Sequence, residues 1–172
     1  MGVCQCGCGK KTMTGKTFVH GHNNKKEKNN RPSLDIILMK VAFLFADRAT
    51  CDRAHNGAVL VRDRRIISTG YNGSPQGTPH CIDAGCDIDP LTGSCLRTLH
   101  AETNCILFAA KNGIKTDGAT LYITMMPCIN CAKTIVSAGI VEVVYANPYR
   151  MTSGIEYLEK SGIKVRHFGI IL

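Results

Sequence analysis

Two short stretches, His100-Ala-Glu102 and Pro127-Cys-Ile-Asn-Cys131, decide the fold of this sequence. Each stands where an apolar, helix-periodic segment begins, and each of these segments is followed by a glycine. The first segment runs from about Ala101 to Asn112 and the second from Cys128 to Ala138, with an apolar strand pattern between them at residues 119–124. This order of helix, strand and helix is typical of an α/β fold and puts both motifs at helix N-termini.

The segments around this centre complete an alternating pattern. Further helices and strands are expected, in chain order, at residues 34–49, 57–62, 65–71, 141–146, 155–160 and 164–168. Ser33 is a candidate N-cap of the first helix, Asp63-Arg64 is a hairpin turn, and the Gly-, Pro- and Cys-rich residues 72–97 are expected to form a loop. The order α-β-β-α-β-α-β-α-β predicts an α/β protein with three α/β/α layers and a mixed sheet of about five strands.

The residues His100, Cys128 and Cys131 are suited to bind one metal ion. The two cysteines lie three positions apart at a predicted helix start, so both sulfurs face the same way. Zinc takes Cys sulfur and His nitrogen in tetrahedral geometry, and three protein ligands leave the fourth position to water. Glu102 is then placed to act as a general acid and base. The implied reaction is hydrolytic deamination, in which water adds to the ring carbon that carries the exocyclic amine and ammonia leaves.

A lone Cys-x-x-Cys pair is more often a structural zinc site or a redox pair. The upstream His-x-Glu and the proline before the first cysteine change this balance, because H-x-E…P-C-x-x-C is the signature of zinc-dependent deaminases. A catalytically inactive zinc protein that binds nucleotide or DNA would lack the carboxylate or one zinc ligand. All four groups, His100, Glu102, Cys128 and Cys131, are present, which favours an enzyme.

Three stretches resemble deoxycytidylate (dCMP) deaminases of the phage and bacterial type: residues 65–75 (RIISTGYNGSP), 96–102 (LRTLHAE) and 124–132 (TMMPCINCA). The resemblance covers residues 33 to 170 and implies the cytidine deaminase fold. It also implies conversion of dCMP to dUMP for thymidylate synthesis, usually by a homohexamer. Activation by dCTP and inhibition by dTTP, with Mg²⁺ accompanying the triphosphate, are further properties that the resemblance implies.

Two residues are candidates for substrate binding. The resemblance places the loop at residues 70–73 near bound nucleotide and makes Asn72 a substrate contact. Glycines let the backbone approach a phosphate or sugar, and Asn both donates and accepts hydrogen bonds. An ordinary turn at the end of a hairpin would equally explain Asn-Gly. Tyr149 is suited either to stack on a base or to pack within the protein.

A second group of cysteines precedes the His-x-Glu motif and consists of Cys51, Cys81, Cys86 and Cys95. The resemblance implies a structural zinc here that fixes the long loop beside the active site. Four thiolates close a zinc site to water, which is typical of a structural metal. His80 is an alternative to one of the thiols, and buried free cysteines are the alternative to a metal. Cys105 lies among apolar residues and is expected in the core.

The first 31 residues differ in composition from residues 32–172, which we expect to form the catalytic domain. They hold five soft ligands that suit a small zinc-binding appendage: Cys4, Cys6, Cys8, His20 and His22. A metal-free tail is the alternative. Seven cationic residues against one acidic residue give the first 33 positions +6 of the net charge of +8. Weak electrostatic contact with DNA through this basic segment is the corresponding expectation.

The composition bounds the remaining alternatives. The 172 residues are 44% hydrophobic and 20% charged, the balance of a globular chain, and no apolar run approaches the ~20 residues that span a bilayer. The N-terminus has no basic region before an apolar stretch, so we expect a cytoplasmic protein without a secretory signal. A bifunctional dCMP/dCTP deaminase is one alternative, since both substrates share base and sugar. A tRNA or single-stranded DNA deaminase would need a basic, aromatic channel, whereas residues 34–172 carry only +2 and the chain has no Trp.

Overall fold

The computed structural model describes Lys11 and residues 31–169. The chain divides into two units, Met1–Pro32 and Ser33–Leu172. The helices and the five-stranded sheet of the described residues lie in the second unit. The expected division into residues 1–31 and 32–172 stays a prediction.

Five helices and five strands within the described residues confirm the expected α/β order. They are α1 (Leu34–Ala46), β1 (Gly57–Arg62), β2 (Arg65–Tyr71), α2 (Cys81–Ala84), α3 (Ala101–Lys111), β3 (Thr120–Met125), α4 (Ile129–Ser137), β4 (Glu142–Asn147), α5 (Ser153–Lys160) and β5 (Lys164–His167). Ser33 caps α1, because its side chain accepts a hydrogen bond from the backbone N–H of Ile36. Asp63 and Arg64, both with positive φ, form the expected two-residue hairpin turn.

An additional short helix and the end of the first helix are the largest differences from the expectation, and the other element bounds shift by at most two residues. The segment 72–97 is not all loop, because the amides of Asp83 and Ala84 bond back to the carbonyl of His80 and close the short helix α2. The first helix ends at Ala46 instead of residue 49, because the next amides form shorter-range bonds, such as that from Ala49 to Ala46. Neither difference moves a predicted site residue.

The strands form one mixed sheet in the order β2-β1-β3-β4-β5. β1 pairs antiparallel with β2 and β3, whereas β3, β4 and β5 run parallel. The register pairs Ala58 with Ile123 and Ile123 with Tyr145. The start of β1 therefore lies beside the carboxyl ends of β3 and β4, the edge at which ligand sites of open α/β sheets form.

Helices cover both faces of the sheet, which confirms the three-layer architecture. α1 packs on one face through Met39 and Ala42, and α3, α4 and α5 pack on the opposite face through Cys105, Ile135 and Leu158. Burying large side chains of this kind contributes roughly 1.5–3 kcal/mol each. Cys105 is fully buried, as expected from its neighbours. None of the helices in the described part of the chain combines the length and apolarity that crossing a bilayer requires.

Two glycines let helices approach the sheet at backbone distance. A Cβ atom on Gly57 would lie 1.9 Å from the carbonyl oxygen of Ala42 in α1, and one on Gly70 would lie 2.5 Å from that of Ala101 in α3. Any side chain at these positions forces the neighbouring backbone to move. Since Ala101 stands between His100 and Glu102, the contact with Gly70 also fixes where α3 begins.

Candidate active site and metal centre

Two helices begin near the carboxyl end of β3, and their first turns carry the predicted site. His100 is the N-cap residue of α3 and Cys128 is the N-cap residue of α4, both with extended backbone. Neither side chain caps its own helix, so the imidazole and the thiol are available to each other. Helix N-termini stabilise nearby negative charge, which favours a thiolate at Cys128, the N-cap residue of α4.

His100, Cys128 and Cys131 converge into a three-donor cluster. The Nδ1 atom of His100 lies 3.5 Å from the Sγ atom of Cys128 and 3.4 Å from that of Cys131. All three donor atoms lie within 4.8 Å of one another. The Oγ1 atom of Thr103 lies 3.7 Å from the Sγ atom of Cys131, which gives the buried sulfur a polar neighbour. The structure therefore brings together residues that are 28 and 31 positions apart in the sequence.

The cluster favours a thiolate paired with an imidazolium. The hydrogen bond from the Cys131 thiol lowers the pKa of Cys128 to about 3 against the effect of burial, and His100 adds to the lowering. The hydrogen bond to Cys128 raises the pKa of His100 to about 9. The hydrogen bond to Cys128 and burial together raise the pKa of Cys131. A metal cation bound to both sulfurs would favour release of the Cys131 proton, because cysteine binds metals as the thiolate.

The donor set fits zinc. Two sulfurs and one imidazole nitrogen are ligands that Zn²⁺ prefers, and catalytic zinc sites use three protein ligands. Over residues 31–169, no fourth His, Cys, Asp or Glu donor belongs to this group. Three protein ligands leave a fourth tetrahedral position for water, whereas a fourth would close the site.

Glu102 lies in the first turn of α3 and lines the same cleft as His100 and Cys128. Its side chain is buried, with the residue only 6% exposed. Burial raises the pKa of this carboxyl above its usual value, and negative charge on Cys128 acts in the same direction. A raised pKa makes the carboxylate a stronger base, which suits a group that has to take up a proton and pass it on.

The four cysteines of the second group also come together. The sulfurs of Cys51, Cys81, Cys86 and Cys95 lie within 4.8 Å of one another. The distances are 3.5 Å from Cys81 to Cys95 and 3.8 Å from Cys51 to Cys86. His80 is not part of this group, and its Nδ1 atom lies 3.0 Å from the Oγ1 atom of Thr50. Four sulfurs at this separation fit a closed, structural zinc site.

Both donor groups and Glu102 lie in a region that matches a known protein family. A family model described as the cytidine and deoxycytidylate deaminase zinc-binding region matches residues 32–147. The chain belongs to this deaminase family. The matched region contains the three-donor cluster, Glu102 and the four-cysteine group, so the resemblance noted in the sequence is confirmed.

Two relatives and one solved structure show the extent of the similarity. ComE operon protein 2 of Bacillus subtilis is 45% identical over 136 residues, which cover 78% of this chain and 71% of that protein. The deoxycytidylate deaminase of Saccharomyces cerevisiae is 41% identical over 143 residues, 80% of this chain but only 46% of the yeast protein. The crystal structure of dCMP deaminase from the cyanophage S-TIM5 in complex with dCMP and dUMP matches with a TM-score of 0.72 at 36% identity, over 80% of this chain and 98% of that one.

The deaminase cleft has a volume of about 240 Å³ and is lined by both predicted substrate-binding residues. Asn72 is buried, and its side-chain amide donates to the carbonyl of Ala54 at 2.6 Å and accepts from the N–H of Asn56 at 2.7 Å. Tyr149 is half-buried, and the guanidinium of Arg150 lies 5.6 Å from the centre of its ring. Contact of Asn72 or Tyr149 with substrate stays a prediction.

Five polar residues of the cleft were missed from the sequence: Arg53, Asn56, Ser94, Thr98 and Arg150. The guanidinium of Arg53 donates to the carbonyl of Gly93, and that of Arg150 lies 3.4 Å from the carbonyl oxygen of Thr92. Neither arginine forms an ion pair with a carboxylate in the described part of the chain. Arg53 precedes β1 and Arg150 follows β4, so only the folded sheet brings these two cations to one cleft.

The predicted ligands of the N-terminal appendage are Cys4, Cys6, Cys8, His20 and His22. All five lie outside the described residues. A zinc site formed by them stays a prediction.

Proposed function

We propose that this chain is a zinc-dependent enzyme that hydrolyses dCMP to dUMP and ammonia. The observation that carries the proposal is the cluster of His100, Cys128 and Cys131 in one cleft with the buried carboxyl of Glu102. The yeast relative named deoxycytidylate deaminase and the cyanophage enzyme in complex with dCMP and dUMP support a pyrimidine deoxynucleotide as substrate.

His100, Cys128 and Cys131 hold the catalytic zinc in this proposal. Zinc bound there supplies Lewis acidity that makes water nucleophilic near neutral pH. The N-terminal ends of α3 and α4 stabilise the negative charge that the two sulfurs contribute.

Glu102 moves the protons of the reaction. Its carboxylate takes a proton from the attacking water and passes it to the ring nitrogen beside the reacting carbon. The carboxylate then takes the second proton from the hydroxyl now on the ring carbon and delivers it to the exocyclic amine. The C–N bond breaks, ammonia leaves and the ring carbon keeps the oxygen as the carbonyl of dUMP, so one water is consumed for each dCMP. The raised pKa of Glu102 suits both directions of transfer, and general acid–base catalysis of this kind contributes roughly 10²–10⁴-fold to the rate.

The polar cleft residues position the nucleotide. Arg53 and Arg150 supply positive charge without a carboxylate partner in the described residues, which suits the 5′-phosphate. Tyr149 stacks on the base, and Asn72 contacts the sugar side of the substrate. Because the amide of Asn72 also holds the backbone at Ala54 and Asn56, its replacement changes the shape of the cleft as well.

The other proposed metal sites are structural. Cys51, Cys81, Cys86 and Cys95 bind a zinc that fixes the loop beside the cleft. The N-terminal residues Cys4, Cys6, Cys8, His20 and His22 bind a further zinc in an appendage of residues 1–31, attached to the catalytic domain of residues 32–172. Separate metal sites of this kind predict more than one zinc per chain.

The finer properties of the protein come from the family resemblance. We propose a homohexamer that works in the cytoplasm, is activated by dCTP with Mg²⁺ and is inhibited by dTTP. The basic N-terminal segment makes a weak contact with DNA, because it carries most of the positive charge of the chain.

The test measures ammonia release from dCMP, dCTP, deoxycytidine and a cytosine oligonucleotide, with wild-type protein and with Glu102→Ala. We expect wild type to turn over dCMP and, slowly, deoxycytidine, whereas Glu102→Ala turns over neither and retains its zinc. Equal turnover of dCTP indicates a bifunctional enzyme, and turnover of the oligonucleotide indicates a polynucleotide deaminase. Zinc-loaded wild type that releases no ammonia from any substrate contradicts the proposal.

A further inference from the structure

Helix α5 touches the backbone that carries the metal ligand Cys128. A Cβ atom on Gly154, in the first turn of α5, would lie 2.0 Å from the carbonyl oxygen of Pro127 and 3.0 Å from the carbonyl carbon of Cys128. Real Cβ atoms essentially never come within 3.0 Å of a backbone atom. The contact exists only because residue 154 has no side chain. The backbone of Gly154 lies outside the left-handed range, so the lack of space, and not the backbone conformation, is what requires glycine here.

The same stretch of chain is held from the end of β4. The carbonyl of Asn147 accepts a hydrogen bond from the N–H of Met126 at 2.8 Å, and the side-chain amide of Asn147 donates to the carbonyl of Thr124 at 2.9 Å. Thr124, Met126 and Pro127 are all buried. The residues just before Cys128 therefore have little room to retreat.

Helix α5 is itself anchored. Leu158 is completely buried in the core on the face shared by α3 and α4, and Gly154 is buried as well. The last turn of α5 is closed by backbone bonds, including that from the N–H of Ser161 to the carbonyl of Tyr157 at 3.1 Å. A side chain added at position 154 thus pushes between two fixed backbones, and the peptide at Pro127–Cys128 has to shift.

We infer that Gly154 and Asn147 are positioning residues that set the place of the Cys128 sulfur in the metal cluster. Gly154 limits the Pro127–Cys128 peptide on one side, and Asn147 holds the preceding residues on the other. Neither residue lines the cleft or supplies a metal donor. The inference rests on the proposed role of Cys128 as a zinc ligand.

The test compares zinc affinity in the full-length chain by competition with a chromophoric chelator. Cys128→Ser comes first, and the zinc equivalent that it loses defines the site. Gly154→Ala is expected to bind that equivalent at least tenfold more weakly than wild type. With Co²⁺ in place of zinc, its thiolate-to-metal absorption band is expected to weaken or shift, which a loss of stability alone does not cause.

Gly139→Ala is the control for a loss of stability alone, because its Cβ meets the Oδ1 atom of Asp117 at 2.7 Å and its φ of 71° disfavours alanine, while Gly139 lies outside the cleft and the donor cluster. This control is expected to lower the unfolding temperature and to keep zinc affinity within twofold of wild type. Asn147→Ala adds no atom and is expected to weaken zinc binding about threefold, so it tests the inference even if Gly154→Ala gives no folded protein.

The outcomes separate the inference from the proposed function. Weaker zinc binding and an altered cobalt band in Gly154→Ala or Asn147→Ala, with the control unchanged, support the positioning role. Wild-type affinity in Asn147→Ala and in folded Gly154→Ala overturns it. If Cys128→Ser loses no zinc, the ligand role of Cys128 fails instead, and the positioning role falls with it.

Discussion

The Nδ1 atom of His100 lies 3.4 Å from the Sγ atom of Cys131, although 31 residues separate them in the chain. The approach is possible because α3 and α4 begin near the same end of β3, one at His100 and the other at Cys128. Cys131 lies one turn further into α4, on the same side as Cys128. Two helix starts thus assemble a donor cluster in the same cleft as Glu102.

Replacing Glu102 with Gln removes the proton carrier and keeps the size of the side chain. We expect kcat for dCMP to fall by about 10²–10⁴-fold, because the amide cannot accept or deliver the protons. Zinc content is expected to equal that of wild type, since the carboxyl is not among the three donors. Steady-state kinetics with metal analysis checks both points, and Glu156→Gln, at an exposed position of α5, is the control. A variant with wild-type turnover removes Glu102 from the mechanism.

Replacing Arg53 or Arg150 with Gln tests the phosphate contact. A hydrogen bond to a charged group is worth about 1.5–3 kcal/mol, so kcat/KM for dCMP is expected to fall at least about tenfold, mainly through KM. Deoxycytidine lacks the phosphate, so kcat/KM of each variant for its slow turnover is expected to stay within about twofold of the wild-type value. Arg65→Gln, on the exposed β1–β2 hairpin, controls for the loss of one positive charge. An equal loss of kcat/KM with both substrates would mean that the arginines maintain the shape of the cleft and do not bind the phosphate.

The contrast between these two predictions reflects what the sequence could show. His100, Glu102, Cys128 and Cys131 were identifiable because their spacing is local and each motif starts a helix whose apolar period is plain. Arg53 and Arg150 have no such pattern, since each is one cation in a loop and their shared cleft exists only after β1 and β4 join the same sheet.

The fold likewise has elements that the sequence predicts and elements that it does not. Short apolar runs specified the strands, and Asp63-Arg64 marked the hairpin that joins β1 and β2. The helix α2 was not predicted because one turn is too short to show a period, and it is closed by bonds to the carbonyl of His80. The close backbone contacts of Gly57 and Gly154 were equally invisible, because a glycine in a sequence does not reveal what lies 2 Å beyond it.

Replacing Cys86 with Ser is expected to remove one zinc equivalent per chain while the enzyme still turns over dCMP. A structural site needs all four sulfurs, whereas the catalytic cluster keeps its own three donors. Proteolysis within residues 82–96 is expected to become about tenfold faster, because the loop loses its anchor. Metal analysis and limited proteolysis of full-length protein measure these effects. Cys105→Ser is the control, and unchanged zinc in Cys86→Ser contradicts the second site.

The ion-pair network around Arg166 predicts how the free energy of unfolding depends on pH. Its Nε donates to Glu142 at 2.7 Å and its Nη1 donates to Asp35 at 3.0 Å. Burial alone would raise the pKa of both carboxyls. Hydrogen bonds from Tyr122 and Arg166 outweigh this effect at Asp35. Hydrogen bonds from Arg166 and Lys164 outweigh it at Glu142. Both pKa values therefore lie below normal in the folded protein. Their contribution is complete above about pH 4–5, where unfolded carboxyls ionise, and is lost as the pH falls through the folded values.

We therefore expect Arg166→Gln to lower the free energy of unfolding by about 1 kcal/mol at pH 7, a modest value because these groups are partly exposed. The difference from wild type is expected to shrink below about pH 4, as the carboxylates become protonated. Urea unfolding at both pH values measures it. Lys115→Gln, which breaks an exposed ion pair with Asp117, is the control and should have little effect. A difference that grows in acid contradicts the sign of this linkage.

The most direct test of the central claim is an anomalous difference map, measured at the zinc absorption edge on crystals of the zinc-loaded protein. We predict a peak bonded to Nδ1 of His100 and to the sulfurs of Cys128 and Cys131, with solvent in the fourth position toward the cleft. A map without zinc at these three residues, or with a fourth protein group in place of the solvent, would contradict the account.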